Sequence, residues 1–429
     1  MKKKSLELLI NQNLDNIDSI ENIVMDSRKI SKGDVFLAIR GGNDFVEETL
    51  EKGAKLVICD DKKYKDIKNV IVVEDTVSFM QKWAKKYLEL LDIFVVGITG
   101  SNGKTSTKDV VFDYLSLFKN GKKTEGNYNN HIGLPFTILN ISEKDEFVVL
   151  EMGMSGFGEI DLLSDIAKPN IGIITNIGDS HLEFMKTREN IFKAKSEIVS
   201  HTKEAMIVNG DDIFLKTLDA IKIGFNEDND YVIKILESNS EHIEFQIKTK
   251  NSCDKLKTNL LGKHNLLNIT TAFALINKAG FDKDLIIKKT EDLKLTKMRF
   301  EKIQKGNILY INDAYNASPI SMTFAIETFK ELPKESKKIV VLGDMLELGE
   351  KSKELHESLY DVLSTSDFEK IYLYGPEMKN LYEKFLDKKN VIHFTEKEEI
   401  KKEIEKFSEP VSVLLKGSRG MKLENIIKE

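Results

Sequence analysis

The sequence predicts an α/β protein of three domains built on mostly parallel sheets. Three observations lead there. Short apolar runs rich in β-branched residues alternate with helical spacing along the 429 residues, which is the pattern of right-handed βαβ units. One such run ends in a glycine turn, Gly100-Ser101-Asn102-Gly103-Lys104-Thr105. The same rhythm starts again after residue 297, without a second Gly-Lys turn.

Composition narrows the field. Hydrophobic residues are 41% and charged residues 31% of the chain, a soluble globular profile. A net charge of −6 gives no electrostatic case for nucleic acid or a membrane as the main partner. Met1 to Lys4 is basic, but Ser5-Leu6-Glu7-Leu8-Leu9 is not the apolar core of a signal peptide, and no run is long enough to span a bilayer. The expectation is a cytoplasmic chain with no membrane insertion, acting as a monomer. Cys59 and Cys253 lie far apart without metal spacing and are expected to be buried or idle thiols.

The first domain, residues 1–80, carries strand candidates at Val35 to Ile39, Leu56 to Cys59 and Ile71 to Val73, and Val77 to Leu91 reads as a connecting helix. The second domain, 81–296, opens with the apolar run Ile93 to Ile98, then the glycine turn, then helical spacing from Lys108 to Phe118. Phe147 to Leu150, Ile171 to Ile174 and Met206 to Val208 are further strands of a parallel sheet. Tyr231 to Leu261 alternates with period two, which predicts a few antiparallel strands, and Gly262 to Ala279 returns to helix. The third domain, 297–429, has strand candidates at Ile308 to Ile311, Ile339 to Leu342, Ile371 to Tyr374 and Val411 to Leu415. It reads as a second doubly wound domain.

Strand, glycine turn and helix together make a phosphate cradle, because backbone N–H groups converge at a helix N-terminus. Lys104 would reach the outer phosphates and the Thr105 hydroxyl would ligate Mg²⁺. The turn departs from the usual G-x-x-x-x-G-K-[ST] spacing, since Ile98 stands where the first Gly is expected. Glu151 follows a strand end, where a carboxylate can hold a metal ion or cap the next helix. His181 also lies past a strand end; from chemistry alone Asp179 is the better Mg²⁺ ligand. Lys193 and Lys195 share a helical stretch but not a face. Thr124 to Pro135 is dense in amides, including Asn127, Asn129 and Asn130, which suit sugar hydroxyls and diphosphate oxygens or form an elaborate turn. Asn265 and Asn268, three apart, read either as an adenine-recognising pair or as N-capping residues. Asp313 could bind ribose hydroxyls or form a turn.

Taken in order, these segments resemble the Mur ligase family. Thr99 to Thr105 resembles its ATP loop. Gly126 to Asn130 with Ile132-Gly133-Leu134-Pro135 resembles its muramoyl-substrate loop. Asp313 to Pro319, Asp344 to Gly349 and Lys416 to Arg419 resemble the subgroup that adds a dipeptide. The resemblance implies a small N-terminal α/β domain that binds the UDP substrate, a central P-loop parallel-sheet ATPase domain and a C-terminal Rossmann-like ligase domain. It implies an ATP- and Mg²⁺-dependent ligase that joins D-alanyl-D-alanine to UDP-N-acetylmuramoyl-tripeptide through an acyl phosphate. Lys104, His181 and Lys195 become catalytic candidates. Gly100, Asn102, Gly103, Lys104, Thr105, Ser106, Asn268, Arg299, Asp313 and Asn316 become nucleotide contacts. Ser27, Thr124, Asn127, Asn129 and Asn130 become substrate contacts. Thr105, Glu151, His181 and Lys195 match the magnesium-site positions, and Lys195 matches a lysine that the family carbamylates.

The loop Arg40 to Phe45 is shorter than the family's, with no Asp-Gly-His element, so the resemblance does not carry over the detailed uridine contacts. Other readings are the sister ligase that adds the third amino acid, folylpolyglutamate synthase, and a nucleotide-switched binding protein. No Asp-Asn-Pro-Arg element supports the first, and no Asn-Lys-x-Asp guanine signature supports a GTPase switch.

Overall fold

The structure is a computed structural model that describes residues 1–239, 241–332, 336–385 and 387–428. The chain packs as two compact units. The first comprises Met1–Thr99, Leu115–Ile173 and Ala194–Met206; the second comprises Gly100–Tyr114, Ile174–Lys193 and the chain from Ile207 onward.

In the first unit, β1 (Ile23–Val24), β2 (Val35–Leu37), β3 (Leu56–Cys59) and β4 (Val70–Val72) form a parallel sheet in that order. Phe36, Val57 and Cys59 pack with Val46 and Tyr64 in its core. The helix Thr76–Leu91 follows, and its N-cap Asp75 accepts a hydrogen bond from the Ser78 N–H at 2.6 Å. Met80, Trp83, Ala84, Tyr87 and Leu88 are buried, a stripe at helical spacing. Two of its aromatics carry a polar handle that burial obliges them to satisfy. The Trp83 indole donates to Ser5 Oγ at 3.0 Å and the Tyr87 hydroxyl to the Ile141 carbonyl at 2.8 Å.

The same unit holds β5 (Phe94–Thr99), β6 (Gly121–Lys123) and β7 (Phe147–Glu151), parallel in the order β5-β7-β6, with β8 (Ile171–Ile174) beside β5. Every residue of β7 is buried, which is why Phe147 to Leu150 form a continuous apolar run and not an alternating one. Glu151 pairs in register with Ile98, so it stands at the strand end where β5 runs on into the glycine turn.

The second unit begins with that turn and the helix Lys104–Leu115. This helix starts four residues before the expected Lys108. Gly103 supplies the first carbonyl, accepting from the Thr107 N–H at 2.8 Å. The opening turn is the polar run Lys104 to Thr107, so apolar spacing could not reveal it. β9 (Ala205–Asn209) enters this unit at Ile207 and runs parallel to β10 (Ile221–Gly224), which is parallel to β11 (Tyr231–Ser238). β12 (Ile243–Lys248) and β13 (Cys253–Thr258) complete an antiparallel trio with β11, as the period-two alternation predicts.

A further sheet is built from β14 (Glu301–Lys305), β15 (Ile308–Asn312), β16 (Lys337–Gly343), β17 (Lys370–Tyr374), β18 (Val391–Phe394) and β19 (Val411–Lys416). Its order is β14-β15-β19-β16-β17-β18. All pairs are parallel except the edge pair β14 and β15. Alternate residues of β16 enter opposite cores: Val340 and Leu342 one, Ile339 and Val341 the other. Both faces are covered, as in a doubly wound domain. No helix among the described residues is long and apolar enough to cross a membrane.

Candidate active site

The glycine turn between β5 and the helix Lys104–Leu115 is held by the chain that follows β8. The Ser101 N–H donates to the Asn176 carbonyl at 3.0 Å and the Asn102 N–H to Asn176 Oδ1 at 3.0 Å. The Thr175 hydroxyl donates to the Asn102 carbonyl at 2.6 Å, and the Gly178 N–H to Ser101 Oγ at 2.9 Å. Gly100 has φ 146°, and a Cβ there would lie 1.8 Å from Thr175 Oγ1, so only glycine fits. Lys104, the first helical residue, folds back so that its Nζ donates to the Gly100 carbonyl at 2.7 Å. Thr105 and Ser106 are buried beneath it.

Arg299 closes on this turn. Its guanidinium donates to Thr105 Oγ1 at 3.1 Å and lies 4.1 Å from the centre of the Tyr315 ring. Asn268 reaches it from the helix Lys263–Lys278, accepting from the Thr107 hydroxyl at 3.0 Å. Asn268 also donates to Asn265 Oδ1 at 3.3 Å, so the two amides share a face. The capping alternative does not hold: Gly262 is the N-cap, and Asn265 donates to the Leu261 carbonyl at 2.8 Å. Ser318 donates to Asn102 Oδ1 at 2.8 Å while capping the helix Pro319–Glu331. Two donors of this region, Asn102 Nδ2 and Arg299 Nε, are buried without a partner. Unmet buried donors are costly, and an anionic group at the turn would satisfy them. By that test the residues fit a nucleotide phosphate.

Asp313 sits just beyond β15 and accepts from the Phe300 N–H at 3.2 Å and from Lys416 Nζ at 2.6 Å. The Asn316 carbonyl accepts from the same Lys416 at 3.3 Å. His181 has its Nδ1 2.7 Å from Glu347 Oε2. That contact holds the Glu347 carboxyl below its usual range. Asp179, the better Mg²⁺ ligand from chemistry alone, is instead held by Arg188, whose Nε donates to it at 2.7 Å. An ion pair already neutralises that carboxylate.

In the first unit, Asn129 Nδ2 donates to Glu151 Oε1 at 2.8 Å, and the Glu151 N–H donates to Thr124 Oγ1 at 2.9 Å. Thr124 and Glu151 are buried, which brings the amide-rich loop to the end of β7. Glu151 does not cap the next helix, whose N-cap is Gly158. Asn130 Oδ1 accepts from the Ile132 and Gly133 N–H groups, a structural use of its side chain, and Asn127 is exposed. Lys195 is 1% exposed while Lys193 is exposed, as the spacing of the two lysines requires. Ser27 is buried at the start of a short turn capped by Asp26. In the second unit the hydroxyl of Thr105 and the imidazole of His181, and in the first the carboxylate of Glu151, are donor types that a divalent cation accepts. An ordinary Lys195 ammonium is not, whereas a carbamylated one would be.

Sequence reasoning assigns no role to Asn176, Tyr315, Ser318 or Glu347. The signal available for them is position: each follows a strand end, where ligands of open α/β sheets collect.

Comparison with known proteins gives three family-model matches. Residues 19–91 match "Mur ligase family, catalytic domain", 98–276 match "Mur ligase middle domain", and 298–419 match "Mur ligase, glutamate ligase domain". The chain is 39% identical to the UDP-N-acetylmuramoyl-tripeptide–D-alanyl-D-alanine ligase of Bacillus subtilis over 426 residues, 96% of this chain and 93% of that protein. It is similar to the structure of MurF from Acinetobacter baumannii, with TM-score 0.89, 28% identity, and 99% and 97% of the two chains covered. It is similar also to MurF ligase from Thermotoga maritima in complex with ADP, with TM-score 0.86, 32% identity, and 95% and 96% covered.

Proposed function

The chain belongs to the Mur ligase family, and from that premise we propose that it joins D-alanyl-D-alanine to UDP-N-acetylmuramoyl-tripeptide using ATP. The observation that carries the reading is the 39% identity to such a ligase over 96% of the chain. The sister ligase, folylpolyglutamate synthase and a nucleotide switch are not favoured beside it. In this reading residues 1–80 bind the UDP substrate, 81–296 bind ATP, and 297–429 complete the ligase. The enzyme works as a monomer in the cytoplasm.

The tripeptide's terminal carboxylate attacks the γ-phosphorus of ATP, the bond to the β-phosphate oxygen breaks, and ADP leaves. The amine of D-alanyl-D-alanine then attacks the acyl-phosphate carbonyl. The C–O bond to phosphate breaks, the amine loses a proton, and inorganic phosphate departs. Charge spreads over phosphoryl oxygens in the first step, so positioning and fixed positive charge dominate its catalysis. Lys104, the turn's N–H groups and the donors of Asn102 and Arg299 take the phosphates. Asn268, Asp313 and Asn316 serve the adenine and ribose side. Ser27, Thr124, Asn127, Asn129 and Asn130 serve the muramoyl substrate. Thr105, Glu151, His181 and a carbamylated Lys195 are the residues that would hold Mg²⁺, which neutralises phosphate charge when bound.

The test is phosphate release in the presence of ATP and Mg²⁺. Release that requires both UDP-N-acetylmuramoyl-tripeptide and D-alanyl-D-alanine is the expected result. Equal release when either is omitted rules out the ligase reading.

A further inference from the structure

Two short loops of the second unit clasp each other. One is residues 181–186. His181 is the N-cap of the short helix Leu182–Met185, with φ 64°, and Leu182 and Met185 anchor it in the core. The other is residues 344–349, in which Glu347 also has φ 64°. The Glu183 N–H donates to the Glu347 carbonyl at 3.3 Å. A Cβ on Gly349, at φ 58°, would lie 3.0 Å from Glu183 Cα, so the loops approach as closely as glycine allows. Non-glycine residues in the left-handed region are uncommon and cost energy. Here two of them face each other, and the product is one side-chain contact: His181 Nδ1 lies 2.7 Å from Glu347 Oε2. Nδ1 is buried and has no other polar partner among the described residues. The negative charge of the carboxylate beside it favours a proton on that nitrogen.

From this geometry we infer that Glu347 is a positioning residue for His181: it keeps the proton on Nδ1 and leaves Nε2 as the basic nitrogen turned to a divalent cation. A carboxylate behind a ligating imidazole fixes the tautomer and ring orientation and raises ligand basicity, and its loss typically weakens metal affinity 10- to 100-fold. The inference rests on the proposed role of His181 as a metal ligand. In this inference Glu347 acts through His181, the side chain it meets at 2.7 Å.

The chain has seven histidines, few enough for long-range ¹H–¹⁵N spectra of ¹⁵N-histidine-labelled protein, with His181→Ala identifying the signal. The expected wild-type signal is that of an Nδ1–H imidazole, shifting toward the Nε2–H tautomer in Glu347→Ala. A purely structural clasp would lower the melting temperature and leave the tautomer alone. An Nε2–H wild-type signal, or no change in Glu347→Ala, overturns the inference. Mn²⁺ binding, read by electron paramagnetic resonance with the metal alone, separates the two levels. Unchanged affinity in His181→Ala overturns the metal-ligand reading. Loss in His181→Ala with full affinity in Glu347→Ala overturns the positioning role alone. The expected result is at least tenfold weaker Mn²⁺ binding in both variants.

Discussion

Arg299 uses both properties of a guanidinium. Its fork donates to Thr105, and its flat face lies on Tyr315. The chain around it is held in an unusual shape: Met298 has φ 65° and Phe300 has φ 55°. The carboxylates of Glu301 and Asp313 hold the N–H groups of those two residues at 2.9 and 3.2 Å, which offsets strain of about 1–3 kcal/mol per residue. A lysine there has neither fork nor face. Arg299→Lys is expected to weaken ADP binding by about tenfold or more, about 1.4 kcal/mol, in isothermal titration. Unchanged affinity would remove Arg299 from the phosphate site. Lys104 is another cation of the turn, its Nζ resting on the Gly100 carbonyl. Lys104→Ala is expected to lower kcat by roughly 10² to 10³ with little change in melting temperature. Near-normal turnover would count against the phosphate role.

Two junctions between elements make their own predictions. Gly100 meets Thr175 at the mouth of the turn, and Gly100→Ala forces its Cβ onto that hydroxyl. The expected cost is about 1–3 kcal/mol, the range for overpacking a tight contact, with weaker nucleotide binding. Gly100→Ala combined with Thr175→Ala should recover part of the stability, since the 1.8 Å clash is removed while the φ strain and the contacts at 3.0 and 3.1 Å with Thr175 Cβ and N remain; no recovery in chemical denaturation would show that the hydroxyl clash is not the cause. The second junction joins the helices Lys263–Lys278 and Pro319–Glu331. His264 stacks on Phe324 with ring centres 6.1 Å apart, its Nδ1 sealed from solvent and without a partner. Burial pushes its pKa down from 6.5 to about 4. The folded state thus refuses a proton that the unfolded chain accepts. The sign follows: stability is intact above pH 6.5 and is lost as pH falls from 6.5 towards 4. At about 1.36 kcal/mol per pKa unit the loss reaches at most about 3 kcal/mol. His264→Phe should therefore gain stability over the wild type between pH 7 and pH 4 in urea titrations. A difference independent of pH would refute the assignment.

At the scale of the molecule, a ligand that binds only the folded state stabilises it in proportion to RT ln(1 + [L]/Kd), about 2.7 kcal/mol at a hundredfold excess over Kd. ADP with Mg²⁺ should raise the melting temperature of the wild type, and Arg299→Lys should shift the response to higher ADP concentration. Much of the architecture is legible from sequence at this scale. β3, buried at every position, has the bounds expected for it, as does β8. Elements without an apolar signature escaped. β14 is Glu-Lys-Ile-Gln-Lys, an edge strand with a polar sequence, and the first turn of the helix Lys104–Leu115 is polar because it faces the glycine turn. The site divides in the same way. Lys104 and Thr105 stand in a glycine turn legible from its own residues, whereas Glu151 and Lys195 are assigned to the site only by the family resemblance. The segments of Tyr315 and Glu347 are legible as motifs, but their partners, like those of Asn176, lie far away in the chain.

Sequence alone determined the buried apolar strands, the longer amphipathic helices and the place of the glycine turn, because burial on both faces and glycine's freedom leave local marks. Only the tertiary structure decided which long-range partners complete the turn. It placed Arg299 on Thr105, Ser318 on Asn102 and Glu347 on His181. It also paired Asp179 with Arg188. Such pairings are set by where chain ends meet in space, and no local spacing encodes that distance.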